Sequence, residues 1–182
     1  VNFFIPSSVV IIPALFVWIV TTSLLLYARR IDWTLLRYTV LTGFVTYLLL
    51  LVHLIVFPIH VRTGSARDNA HFRSAVNIIP FDDLRAVDFM LNIAVTIPLG
   101  FMLPIALRRS FSIVQIAIIA AIVGGGFEFN QYLMRKFIAN DRFVDINDVI
   151  ANSAGVLVGF LLLLAAKQDR SLRHWAVANL MR

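Results

Sequence analysis

Between Phe127 and Gly155 the chain reads FEFNQYLMRKFIANDRFVDINDVIANSAG, and Glu128, Gln131, Arg142, Asp145, Asp148 and Asn152 within it are equipped for chemistry. A carboxylate beside amides and a guanidinium can hold or move a proton, and a guanidinium can grip a phosphate or carboxylate through two parallel hydrogen bonds. The stretch carries four of the ten acidic residues of the chain and three of its basic ones, yet apolar runs flank it on both sides. Polar groups at that depth in a bilayer are costly and usually face the protein interior, so they mark a candidate functional site.

Spacing arranges these residues further. Positions three and four apart share a helix face, which puts Glu128, Gln131 and Arg135 on one stripe and Asp145, Asp148 and Asn152 on another. The link between the stripes is short, so their helices are antiparallel neighbours and the stripes can meet. Asn92 stands at a similar depth in the preceding apolar run. The expected geometry is an outward-facing pocket, with Asn92, Glu128 and Gln131 deep and Arg142, Asp145 and Asp148 at the mouth. Glu128 is the candidate general acid or base, and Asp145 or Asp148 would orient it or activate water.

Blander roles compete for the same residues. Asp145 fits an N-cap and Asp148 the third position of the same helix, a capping-box pair favoured by the helix dipole. Asn92 and Asn152 fit interhelical hydrogen bonding, and Arg142 fits snorkelling to head groups. Ala151, Gly155 and Gly159 form a ladder of small residues that lets another helix approach, within the chain or from a partner. Gly124, Gly125 and Gly126 fit a kink or a bare strip that admits a lipid chain. Asp141, Asp145 and Asp148 could hold Mg²⁺ through oxygen ligands, although Arg142 among them weakens that case, and the sequence requires no cofactor. The four histidines show no zinc-binding spacing, and no nucleophile elbow, phosphate-cradling loop or triad is present.

The elements that must position these side chains follow from composition. Of 182 residues, 60% are hydrophobic and 14% charged, far from soluble norms, and a membrane protein is the class that fits. There is no cysteine, which excludes disulfides and thiolate metal sites. The opening Val-Asn-Phe-Phe has no basic region and no small-residue cleavage site, so no signal peptide is expected. Runs of the length a bilayer requires lie at about 4–27, 34–57, 89–107, 111–134 and 146–166. The third contains Pro98, Gly100 and Pro104 and is expected to kink. The chain is thus read as an all-α membrane protein, one transmembrane domain of five helices over 1–182.

Charge sets the expected orientation. One side gathers Arg29, Arg30, Arg37, Arg108, Arg109, Lys167, Arg170, Arg173 and Arg182 against Asp32 and Asp169, leaving seven basic and eight acidic residues for the other. By the positive-inside rule the first side is cytoplasmic, with the N-terminus outside and the C-terminus inside. The net charge of +6 is then a topology signal, and no nucleic-acid partner is expected. In the outer loop 58–88, IIPFDDLRAVDFML reads as a short interfacial helix before the third span, and 167–182 reads as a basic amphipathic cytoplasmic tail anchored by Trp175.

The ordered set Asn77-Ile78-Ile79-Pro80-Phe81, Asn92-Ile93, Ile97-Pro98-Leu99-Gly100-Phe101, Leu103-Pro104, Glu128 with Gln131, and Arg142-Phe143-Val144-Asp145-Ile146 with Asp148, Asn152, Gly155 and Gly159 resembles the VanZ-like membrane family. The resemblance covers about 77–160 and differs from the family pattern in two places. Gly124 stands where a small hydroxyl residue is usual, and the stretch from Gln131 to Arg142 is longer. It implies a multi-pass protein of the bacterial plasma membrane with a role in resistance to teicoplanin-type glycopeptides. It also adds Asn77 to the ligand-binding set of Asn92, Gln131, Arg142 and Asn152.

Three functions follow as expectations. As a binding module, the chain would take membrane lipids or a lipid-linked or acylated cell-envelope amphiphile at the outer leaflet. As a hydrolase or transferase, it would act on a similar substrate through Glu128. As a structural subunit, it would meet a partner helix through Ala151, Gly155 and Gly159. A transporter is disfavoured by the absence of an inverted repeat.

Overall fold

The computed structural model describes residues 2–31, 33–57, 59–62, 76–82, 84–138 and 144–169. In chain order these form β1 (Asn2–Ile5), α1 (Ser8–Tyr27), α2 (Leu35–Val56), β2 (Ile59–Arg62), β3 (Val76–Asn77), α3 (Ala86–Ala106), α4 (Ile113–Ile138), β4 (Val144–Asp145) and α5 (Ile146–Gln168). All five helices are long and apolar enough to cross a membrane. Arg142, Asp141 and the tail from Arg170 onward lie outside the described residues.

Inside lipid each polar group must find a partner in the protein, and several threonine hydroxyls of the spans do so locally. Thr22 Oγ1 donates to Trp18 O at 2.7 Å and Thr46 Oγ1 to Thr42 O at 2.8 Å. Tyr47 reaches across to α3, its hydroxyl 2.7 Å from Val95 O. At the start of α4, Ser112 and Gln115 bond each other's backbone N–H reciprocally at 3.2 and 3.0 Å, a capping box that fixes where the helix begins. Pro13, Pro98 and Pro104 stand inside helices that continue through them, and α4 likewise runs unbroken through Gly124–Gly126.

The core draws Phe44 from α2, Leu99 from α3, Ile116 and Ala120 from α4, and Val156 and Phe160 from α5. Its tightest seam joins α3 to α5. A Cβ at Gly155 would strike Ile93 O and Thr96 Oγ1, one at Gly159 would strike Ile97 O, and one at Gly100 would strike Val156 O. Backbone therefore meets backbone along this seam, which only small residues permit. At Gly155 and Gly159 the face on which the sequence allowed a partner helix is occupied by α3 of the same chain, and Ala151 is buried. A Cβ at Gly124 would stand 2.5 Å from Val149 O and from Ser153 Oγ on α5, whereas one at Gly125 or Gly126 would meet nothing within 4 Å.

Two features depart from the sequence expectation. Short strands are present: β1 pairs antiparallel with β2, Asn2 opposite Arg62, and β3 pairs parallel with β4, Asn77 opposite Asp145. The interfacial helix expected before the third span is not formed among the described residues. Ile78–Asp82 is a turn, with Phe81 at φ 65°, and Ala86 begins α3 itself. Pro80 and the bulky residue in a left-handed conformation break the helical path, so the i, i+3 pattern of Val87 and Met90 belongs to the first turns of α3.

Candidate functional site

The starts of α3 and α5 and the end of α4 come together at one end of the bundle, beside the β3–β4 pair. Glu128 is 3% exposed there. Its Oε2 accepts Asp145 N–H at 2.9 Å and its Oε1 accepts Gln131 Nε2–H at 2.9 Å. The i, i+3 spacing in α4 makes the second bond, and chain topology makes the first.

Asp145 is the N-cap of α5, its Oδ1 accepting from Asn147 N–H at 2.8 Å. The same oxygen accepts Asn77 Nδ2–H at 3.2 Å. In a capping box the acid at the third helical position would reach back to the backbone N–H of the cap. Here Asp148 holds that third position but does not make that bond, because Glu128 from α4 already accepts the Asp145 N–H. Asp148 turns instead to α3, its Oδ1 accepting Asn92 Nδ2–H at 2.7 Å. Three carboxylates thus surround the positive end of the α5 dipole, a favourable place for negative charge.

Asn92, Gln131, Asp145 and Asp148, with Arg85, Asp88 and Leu91, line a cavity of about 390 Å³. Glu128 stands behind this lining, held by two of its members. Asn77 bonds Asp145 from the β3 side, and Asn152, one turn deeper than Asp148, is buried at 5% exposure without reaching the lining. The described members of the sequence set are therefore drawn together with a change of rank. Asp148 and Asn92 face the cavity, and Glu128 braces it from behind.

Both lining amides spend a donor on a carboxylate. Among the described residues, the second oxygens of Asp145 and Asp148 and the carbonyl oxygens of Asn92 and Gln131 accept no hydrogen bond. The lining thus presents acceptors. Among the described residues its cation is Arg85, which pairs through Nε with Asp88 Oδ2 at 3.0 Å, both side chains well exposed. Among the described residues, no group of three His, Cys, Asp or Glu side chains is close enough to hold a metal ion.

Three residues escaped the sequence reading. Asn147 is 2% exposed, its Oδ1 accepting Phe81 N–H at 2.7 Å and its Nδ2 donating to Asp82 O at 3.0 Å. Its signal was a polar residue two positions after the N-cap, which reads equally well as solvated surface. Arg85 and Asp88, spaced i, i+3, lay in the segment expected to form a separate interfacial helix.

Comparison with curated proteins and with solved structures found no match. A family model described as VanZ/LLP1 matches residues 44–167, which run from the middle of α2 to the end of α5 and include each described residue that lines the cavity or braces it. Together with five helices fit to span a bilayer, this makes the chain a multi-pass membrane protein. By a match over more than half its length, the chain belongs to the VanZ/LLP1 family.

Proposed function

We propose that the cavity takes the polar head of an amphiphile resident in the outer leaflet of a bacterial plasma membrane, a lipid-linked or lipidated envelope molecule. Membership of the family extends this reading to a role in glycopeptide resistance of the teicoplanin type. The observation that carries it is the 2.7 Å bond from Asn92 to Asp148, which turns α3 and α5 toward one another around an acceptor-rich cavity. Such a lining suits a head that donates hydrogen bonds, through ammonium, hydroxyl or amide groups. The bare strip at Gly125 and Gly126, just below Glu128, leaves room for an acyl chain along α4.

The outer orientation rests on charge. Arg29, Arg30, Arg37, Arg108, Arg109 and Lys167 all flank the opposite ends of the spans, where the positive-inside rule puts the cytoplasm. A catalytic role for Glu128 has less support, since both its oxygens already accept hydrogen bonds and it stands behind the cavity wall.

The test is direct binding of a lipidated glycopeptide and of a lipid-linked wall precursor to the protein in nanodiscs. Asp148→Asn keeps an oxygen for Asn92 but removes the charge. It should weaken binding roughly 10-fold or more, the equivalent of about 1.5–3 kcal/mol for a hydrogen bond to a charged group. Unchanged affinity for every ligand that binds the parent protein would sink the proposal.

A further inference from the structure

The turn after β3 places its apolar side chains outward. Ile78, Ile79 and Phe81 are 76, 60 and 62% exposed, although they lie outside every spanning helix. Turns that meet water normally use Gly, Asn, Asp or Ser, and a bulky residue at positive φ is held there only when its surroundings insist. Phe81 has φ 65°.

What insists is a brace of two asparagines. Asn77 Oδ1 accepts Ile79 N–H at 3.0 Å while its Nδ2 donates to Asp82 O at 3.1 Å. From the first turn of α5, Asn147 Oδ1 accepts Phe81 N–H at 2.7 Å and its Nδ2 donates to the same Asp82 O at 3.0 Å. The backbone of the turn is therefore fixed, and fixed in a form that displays its hydrophobic side chains.

The outward apolar surface does not end at the turn. It continues through Leu84 into Val87 and Met90, exposed on the first turns of α3, a face that a spanning helix presents to lipid. Asp82 and Arg85, both exposed, mark the polar margin beside it. We infer that the Ile78–Phe81 turn is a wedge seated in the lipid leaflet at the cavity end of the bundle, its side chains at the boundary between head groups and acyl chains. Continuity with a lipid-facing helix favours lipid as the occupant over a protein partner.

The wedge is tied to the cavity wall. Asn77 Nδ2 also donates to Asp145 Oδ1, β3 pairs with β4, and Asn147 follows Asp145 by two residues. Its depth thus sets the height of the cavity mouth relative to the head groups, so that a head enters sideways from the leaflet. This last step rests on the amphiphile reading above, whereas the insertion of the wedge does not.

The absence of cysteine makes the test clean. Ile79→Cys, Phe81→Cys and Asp82→Cys are each spin-labelled and reconstituted into nanodiscs of phosphatidylethanolamine and phosphatidylglycerol. Collision with oxygen is compared with collision with a water-soluble nickel chelate. Labels at 79 and 81 should favour oxygen several-fold more than the label at 82. Equal access of the chelate to all three overturns the wedge, and shielding from both reagents at 79 and 81 overturns lipid in favour of a protein contact. Asn147→Ala should raise label mobility at 81 and erase the depth difference; a label that stays immobile and deep refutes the brace. Binding to the parent protein measured in the same discs reports separately on the amphiphile reading, which can fail while the wedge stands.

Discussion

Adding one methyl group at Gly155 should open the site from below. The new Cβ would strike Thr96 Oγ1 and Ile93 O, and would stand 3.0 Å from the Ile93 carbonyl carbon. Carbon atoms pack best at about 3.5–4.0 Å, so α3 and α5 must part by roughly 0.5–1 Å. The Thr96 hydroxyl can rotate aside, but Ile93 O is backbone and cannot, so the helices themselves must move. Overpacking of this kind costs about 1–3 kcal/mol. The Asn92–Asp148 bond, about two helix turns along α5 toward the cavity, starts at 2.7 Å and lies on the same seam. Parting the helices stretches it past useful length, a further loss of ~1 kcal/mol for an interhelical bond in a membrane protein. The expected total for Gly155→Ala is about 2–4 kcal/mol, or roughly 4–16 °C in Tm for a chain of this size. Thermal unfolding in detergent reads the first quantity, and amphiphile binding should fall in parallel. Gly126→Ala is the matched control, because nothing lies within 4 Å of its missing side chain and Ala is the better helix former by about 1 kcal/mol. If the two variants shift Tm alike, the close seam does not carry the site.

Glu128→Gln should act on stability before it acts on any chemistry. The amide offers one acceptor where the carboxylate served both Asp145 N–H and Gln131, so a loss of about 1–3 kcal/mol in thermal unfolding is expected; an unchanged Tm would return Glu128 to a purely chemical role. Arg85→Ala, by contrast, breaks an exposed ion pair and should cost less than ~1 kcal/mol, leaving Tm within error while altering which head groups bind.

The spans were legible because bilayer thickness fixes how many consecutive apolar residues are needed, and nothing local competes with that signal. The convergence of Asn92, Glu128, Gln131, Asp145 and Asp148 was legible for a related reason. Helical period and a short connection leave few ways for two antiparallel stripes to be placed. What stayed hidden was set by long-range partners. Val76 and Asn77 pair with Val144 and Asp145, a contact across 68 residues made by strands of two residues each, too short to leave a pattern. The turn at Phe81 was read as helix because its neighbours have helical spacing. Its conformation depends on Asn147, 66 residues away, which no window along the chain contains.

The exchange of partners at the start of α5 bears on function more than any single distance. A helix that needs only a stable beginning can pair its N-cap with its own third residue, and Asp145 and Asp148 are spaced for that bond. This chain brings a carboxylate from α4 to do so, burying Glu128 to 3% exposure near the end of a span, where such a group is expensive. Stability alone does not call for that outlay, since the local bond would satisfy the same N–H. What the exchange accomplishes is to leave Asp148 on the cavity wall, oriented by Asn92 and with an oxygen still unused among the described residues. The cost at Glu128 is therefore best understood as the condition for keeping Asp148 available to a ligand. On the amphiphile reading proposed above, the two acids are one device, and Asp148 is the half that meets the head group.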